Sequence, residues 1–174
     1  MISQNNENLG LVKYIFEKSK LEKNILNLDN ETILHRAVLS NQNLNVIKYI
    51  VEEIKIGVNE VNTHNENAFH CACFSNKNIE IIKYLIEQKS EINLINKNNN
   101  SALHLACQEN ENLDLIMFLV EDLKMDLALK NSFGNTPLHF ACLSNKNLEI
   151  IKYLVKNTPI DVKNNKGNNI VHLA

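Results

Sequence analysis

The sequence predicts an all-α chain, a helix-turn-helix solenoid with short hairpin-like loops between its helix pairs. Three observations carry that expectation. Histidines recur at His35, His70, His104, His139 and His172, at intervals of 35, 34, 35 and 33 residues, and self-similarity at such a period marks stacked repeats. Two residues after each of them stands an alanine, at Ala37, Ala72, Ala106, Ala141 and Ala174. A second pattern then follows each: LNVIKYIV at 44–51, IEIIKYLI at 79–86, LDLIMFLV at 113–120 and LEIIKYLV at 148–155. LGLVKYIF at 9–16 is a further copy with no first half before it, and NNIVHLA at the other end is a first half alone.

The second pattern is helical. Leu148, Ile150, Ile151, Leu154 and Val155 line one apolar face, with Glu149 and Lys152 outside it. The first pattern, as in PLHFACL at 137–143, is too short for a helix stable alone. It persists only by packing on its partner and on neighbouring repeats. Between the halves stand the pairs Asn41/Asn43, Asn76/Asn78, Asn110/Asn112 and Asn145/Asn147. The first Asn of each pair is expected in the left-handed conformation that ends a helix. The second is expected as N-cap of the next helix. Glu80, Asp114 and Glu149 lie two residues past that cap, where the helix dipole favours negative charge.

The turn before each His obeys similar rules. Five residues ahead of it stand Asn30, Asn65, Asn99, Gly134 and Gly167, all types that tolerate positive φ. Eight ahead stand Asn27, Asn62, Asn96, Asn131 and Asn164, placed to close an Asx-turn. Three ahead stand Thr32, Asn67, Ser101, Thr136 and Asn169, placed as N-caps of the first helix. Asn makes up about 18% of the chain, and its phasing with the repeat assigns it to turns and caps rather than to a prion-like tract.

Taken in order, residues 1–26 hold a frayed start, a second-type helix and the connector KSKLEKNI. Full repeats run over 27–61, 62–95, 96–130 and 131–163, and a truncated one over 164–174. No Pro-, Gly- or Ser-rich linker interrupts them, so one continuous solenoid is expected. The net charge of −2 supplies no global basic field for nucleic acid. No apolar run approaches the ~18 residues of a membrane span, and no basic segment leads an apolar one as in a signal peptide. These absences point to a soluble intracellular protein, cytoplasmic by default with the nucleus left open.

A period of 33–35 residues, a helix–turn–helix after a hairpin-like turn, and GNTPLHFAC at 134–142 together resemble the ankyrin repeat. The resemblance covers essentially the whole chain. One repeat carries a full TPLH, and the others read TILH, NAFH, SALH and NIVH. Three of the four full repeats exceed the common length of 33, and the extra residue is assigned to the interhelical turn, SNQN or SNKN.

The phased histidines and cysteines invite a metal or catalytic reading, and their spacing opposes it. Stacked helices lie roughly 10 Å apart, far beyond the ~2 Å of a metal–nitrogen bond. Each phased His is therefore expected to bond its capping Thr, Ser or Asn and nearby backbone. Cys73, Cys107 and Cys142 share one register, expected to be small, buried and apolar. One repeat of separation exceeds the ~7 Å limit for a disulfide. Cys71 and Cys73 form a C-x-C with no second ligand pair at zinc spacing. No phosphate loop, nucleophile elbow or H-E-x-x-H occurs, so no enzyme, metal or cofactor is expected.

What remains is binding. The resemblance implies a non-catalytic interaction module whose contacts come from loop tips and the exposed side of the first helices. Carried over by position, the tip candidates are Asp29 and Glu31, His64 and Glu66, Lys97 and Asn98, Phe133 and Asn135. On the first helices they are Leu39, Phe74, Gln108 with Glu109, and Leu143. These positions differ between copies, as expected of a face turned to a partner, while Leu39, Phe74 and Leu143, sharing one register, fit packing between repeats at least as well. Phe133 stands out as an aromatic at a loop tip with no evident core to fill. The expected partner is a protein, with neither nucleic acid nor membrane, and the chain is expected to be monomeric unless exposed solenoid ends self-associate. A second reading makes the chain a piece of a larger effector (an enzyme, channel or ubiquitin-ligase adaptor) whose activity lies elsewhere.

Overall fold

The computed structural model of the chain describes residues 2–18 and 25–173. Residues 19–24 of the expected connector, and the phased Ala174, lie outside the described residues. Helix α1 (Ile2–Lys18) comes first and begins well ahead of the LGLVKYIF pattern. Helix pairs follow: α2 (Ile33–Ser40) with α3 (Leu44–Lys48), and α4 (Ala68–Ser75) with α5 (Ile79–Glu87). Then come α6 (Ala102–Glu109) with α7 (Leu113–Met117), and α8 (Pro137–Ser144) with α9 (Leu148–Asn157). A 3-10 turn, Ile170–His172, is the last element described.

The first helices stack side by side, α2 on α4, α4 on α6 and α6 on α8, and the second helices form an outer row against them. The phased positions build the core between the rows. Leu34, Phe69, Leu103 and Leu138, each just before its His, are at most 1% exposed. Ala72, Ala106 and Ala141 are fully buried, and the small side chain is what lets neighbouring helices approach. From the second helices Ile47, Ile82, Ile116 and Leu154 close the same core. Eight-residue first helices are thereby held by packing that their length could not replace.

The IKY pattern of the second helices links successive repeats on the outer row. Lys13 lies over the Tyr49 ring at 5.3 Å, Lys48 over Tyr84 at 5.5 Å and Lys83 over Phe118 at 5.9 Å. The hydroxyl of Tyr84 donates back to Glu52 Oε1, and that of Tyr153 to Glu121 Oε1, both at 2.9 Å. Each is a cation–π or hydrogen-bonded contact across one repeat step.

Two expectations are corrected. Asn41, Asn76, Asn110 and Asn145 are not left-handed: their φ values run from −104 to −72 with extended ψ. The extended backbone turns the side chains of the last three back onto the preceding repeat. Asn76 Nδ2 donates to the carbonyls of Val38 at 2.6 Å and Asn41 at 3.1 Å. Asn110 reaches Cys73 and Asn76 in the same way, and Asn145 reaches Cys107 and Asn110, all at 3.0 Å. In each case Oδ1 accepts the N–H two residues on, from Asn78, Asn112 or Asn147. These asparagines form a ladder through the stack. The second Asn of each pair caps as expected, Asn43, Asn78, Asn112 and Asn147 each accepting from the N–H two residues later.

The second correction concerns repeat length. The interhelical turn spans three residues in every pair, including the 33-residue repeat, so it cannot hold the variation. The end of the second helix does. In the two 35-residue repeats the helix finishes in a π-helical turn, Tyr49–Glu53 after α3 and Phe118–Asp122 after α7. There Ile54 N–H donates to the Tyr49 carbonyl at 3.1 Å, and Leu123 N–H to Phe118 at 3.1 Å. The i→i+5 turn absorbs an extra residue without shifting the buried face. In the 34-residue repeat α5 stays α-helical, and Ser90 N–H closes on the Leu85 carbonyl. Each of these three helices is followed by a lysine at positive φ, Lys55 at 67°, Lys89 at 66° and Lys124 at 55°.

Candidate functional site

The loop tips are shaped by asparagine side chains. Asn62 Oδ1 accepts from His64 N–H at 2.9 Å and Glu66 N–H at 3.0 Å. Asn96 holds Asn98 and Asn100 in the same manner, and Asn131 holds Phe133 and Asn135. Positive φ falls where the spacing places it, at Asn30, Asn65, Asn99, Gly134 and Gly167. Gly134 is needed for a second reason, because a Cβ there would come within 2.8 Å of the Asn165 backbone nitrogen.

Neighbouring tips are joined by one backbone hydrogen bond per step. Thr63 N–H donates to Asp29, Lys97 to His64, Ser132 to Asn98 and Asn165 to Phe133, at 2.8–3.0 Å. Side chains add to this. Asn96 Nδ2 donates to Glu66 Oε1 at 2.7 Å, and Asn131 Nδ2 to Asn100 Oδ1 at 2.8 Å. Asn164 Nδ2 donates to Asn135 Oδ1 at 2.8 Å. The tips therefore form a continuous edge along one side of the stack.

His35 and His104 anchor that edge from beneath, whereas the Nε2 of His139, capped alike by Thr136, meets no hydrogen-bond partner among the described residues. Thr32 N–H and Oγ1–H donate to His35 Nδ1, and His35 Nε2–H donates to the Glu66 carbonyl of the next loop at 3.0 Å. His104 repeats the arrangement between Ser101 and the Asn135 carbonyl at 3.1 Å. His70 departs from it because its cap is Asn67. His70 N–H donates to Asn67 Oδ1, and Asn67 Nδ2 donates to the Glu91 carbonyl. The His70 ring then donates from Nδ1 to that oxygen at 2.9 Å, and among the described residues no partner within hydrogen-bond distance meets its Nε2, although the Leu94 backbone faces the ring. Burial lowers the pKa of three of these rings, His104 to about 4 and His70 and His139 in the same direction.

The thiols are structural. Cys71, Cys73 and Cys107 are buried, and no cysteine is disulfide-bonded. Burial, helped by the nearby carboxylates of Glu66 and Glu31, pushes the Cys71 thiol up to about 12. Cys73 and Cys107 are raised further by burial. Cys142, expected to be as buried as its copies, is half-buried; the 3-10 turn Ile170–His172 packs beside α8 there. Among the described residues no cluster of three or more His, Cys, Asp or Glu has metal-binding geometry, and no helix is long and apolar enough to cross a membrane.

Two open grooves lie between the loop tips and the first helices. The first, about 360 Å³, has Leu39 and Phe74 on its floor with the buried Cys71 and Leu105. Its walls carry Glu31, His64, Glu66, Asn98 and Gln108. The second, about 330 Å³, is bounded by Phe133, Leu143 and Leu173, with Asn135 and Lys166 on its rim. Phe133 is 55% exposed and Leu143 52% exposed. Asp29, Lys97 and Glu109 are exposed and line neither groove. Sequence reasoning missed Cys71 and Leu105 as groove residues. They occupy the position after the His, where Arg36 and Phe140 stand in other copies, and that variability was the available signal.

A family model described as ankyrin repeats, in three copies, matches the chain over residues 1–96 and again over 73–166. No curated protein matches the chain.

Proposed function

Because this chain belongs to the ankyrin repeat family, whose members are generally protein-interaction modules, we propose that it is a non-catalytic module that holds a protein partner on its concave face. The observation that carries this is a division of labour within the repeat. Positions shared between copies are buried or hydrogen-bonded into the stack, as Leu103, His104 and Asn110 are. Positions that differ between copies, such as Leu39, Phe74, Gln108 and Leu143, line two open grooves on one side.

The mechanism is presentation on a pre-ordered surface. Tip-to-tip hydrogen bonds and histidine anchors set the groove walls before any partner arrives, so little ordering entropy opposes association. Phe133 and Leu143 are aromatic and aliphatic anchors available to fill pockets on a partner, where a few such residues carry most of the binding energy. Affinity capture with the intact chain, repeated with Phe133→Ala and His64→Ala, tests the reading. Captured proteins should be lost or reduced with these variants and retained with Glu149→Gln on the outer helix. Equal capture by all variants would overturn the concave-face reading.

A further inference from the structure

The first groove combines a buried apolar floor with carboxylates above it. Phe74 and Leu39 are half-buried, while Cys71 and Leu105 beneath them are 5% and 7% exposed. Glu66 stands over this floor with its backbone N–H and carbonyl both engaged, which fixes the main chain that carries the carboxylate. Its oxygens accept from Asn96 Nδ2 at 2.7 Å and, weakly, from Asn62 Nδ2 at 3.5 Å. A carboxylate offers about four acceptor sites, and among the described residues no cation lies in ion-pair range of Glu66. Glu31, on the same wall, is met by Arg36 at 3.6 Å, whose own side chain is 65% exposed and free to swing outward. The negative field reaches the floor, where Glu66 and Glu31 act on the Cys71 thiol more strongly than Arg36 does.

We propose that this groove receives a segment of the partner that carries an arginine or lysine beside an apolar side chain. The cationic head hydrogen-bonds Glu66, with Glu31 beside it, and the apolar side chain packs on Leu39 and Phe74. A charge-assisted hydrogen bond at a half-buried carboxylate is stronger than a neutral one. The aliphatic stem of a basic residue covers apolar floor while its head stays at the rim, and Phe74 offers a ring face to a guanidinium. An acidic segment would meet the uncompensated charge of Glu66, and a purely apolar one would bury that carboxylate unpaired, at a penalty.

The assignment rests on the interaction-module reading and can fail without it. Random peptides displayed on phage are selected against the immobilised full chain, then measured on Glu66→Gln, Glu31→Gln and Glu149→Gln. In Glu66→Gln the side-chain carbonyl still accepts from Asn96, so the loop is retained while its charge is removed, which circular dichroism checks. Enriched peptides are expected to share Arg or Lys next to an apolar residue. They should bind Glu66→Gln about tenfold more weakly or worse, Glu31→Gln with a smaller loss, and Glu149→Gln unchanged. Enrichment of acidic or purely apolar sequences, or equal binding to folded Glu66→Gln, would overturn the basic-segment assignment and leave the module reading standing. Retention of no sequence class would overturn both.

Discussion

The side-chain amide of Asn110 donates to the carbonyl of Asn76 in the preceding repeat at 3.0 Å. The same nitrogen reaches the Cys73 carbonyl, and Oδ1 accepts from Asn112 N–H, so one side chain of 2% exposure ties two repeats and one turn. Buried groups of this kind cost most when one partner is removed and the others are left unpaired.

Replacing Asn110 by Ala should therefore destabilise the fold by about 3 kcal/mol, and Asn110→Asp by at least as much, since a carboxylate would face two carbonyls. The more exposed Asn145 should cost less when changed to Ala. Urea unfolding of the three variants gives the order.

Asn67→Thr should gain stability. Threonine would donate to His70 Nδ1 as Thr32 does to His35, freeing Nε2–H to donate towards the Leu94 backbone that faces the ring. Removing a buried unsatisfied acceptor is worth about 1–2 kcal/mol, partly offset by the lost bond from Asn67 to the Glu91 carbonyl. A lower unfolding midpoint would contradict the tautomer assigned to His70.

Lys55, Lys89 and Lys124 each sit at positive φ on the surface. A non-glycine residue there carries left-handed strain of roughly 1–2 kcal/mol, and glycine relieves it at some cost in unfolded-chain entropy. Each Lys→Gly change should stabilise by about 0.5–1 kcal/mol, and the triple variant nearly additively. Thermal melts at equal protein concentration check the sum.

Acidification should weaken the stack. The folded-state pKa values of His70, His104 and His139 lie below the ordinary 6.5, so the unfolded chain binds more protons as pH falls below that value. Their contribution is intact above pH 6.5 and is lost progressively down to about 4, where His104 itself titrates. His104 alone accounts for up to about 3 kcal/mol over that interval. His104→Asn should flatten the slope of unfolding free energy against pH.

Thiol reactivity should separate Cys142 from its copies. Burial raises the pKa of all four thiols, but Cys71, Cys73 and Cys107 are buried and Cys142 is half-buried. In the native protein an aromatic disulfide reagent should modify Cys142 first and the other three only at the rate of unfolding. Simultaneous release of all four thiols would contradict the burial order.

The histidine role was legible in the sequence because Thr32, Ser101 and Thr136 stand three residues before their His, a spacing that forces the side chains together. The left-handed turns were legible for a similar reason, since Asn and Gly at one register have few other uses. The lysines at positive φ were not, because Lys is an ordinary surface residue and carries no conformational signal. The π-helical turns escaped notice for want of any residue type that marks them. In the candidate site, Glu31, His64, Glu66 and Gln108 were each identified, but not that one groove holds them all.

The repeat period, the buried register and the capping chemistry are properties of the sequence by itself, because they depend on residues within one turn or one helix of each other. The Asn76–Asn110 contact is different. Whether the first Asn of the interhelical turn serves its own helix end or the repeat before it depends on what lies within hydrogen-bonding reach of its amide, and only stacking supplies the neighbouring carbonyls. Stacking likewise sets the carboxylates of Glu31 and Glu66 over one apolar floor, since residues a full repeat apart meet only after the helices between them have packed.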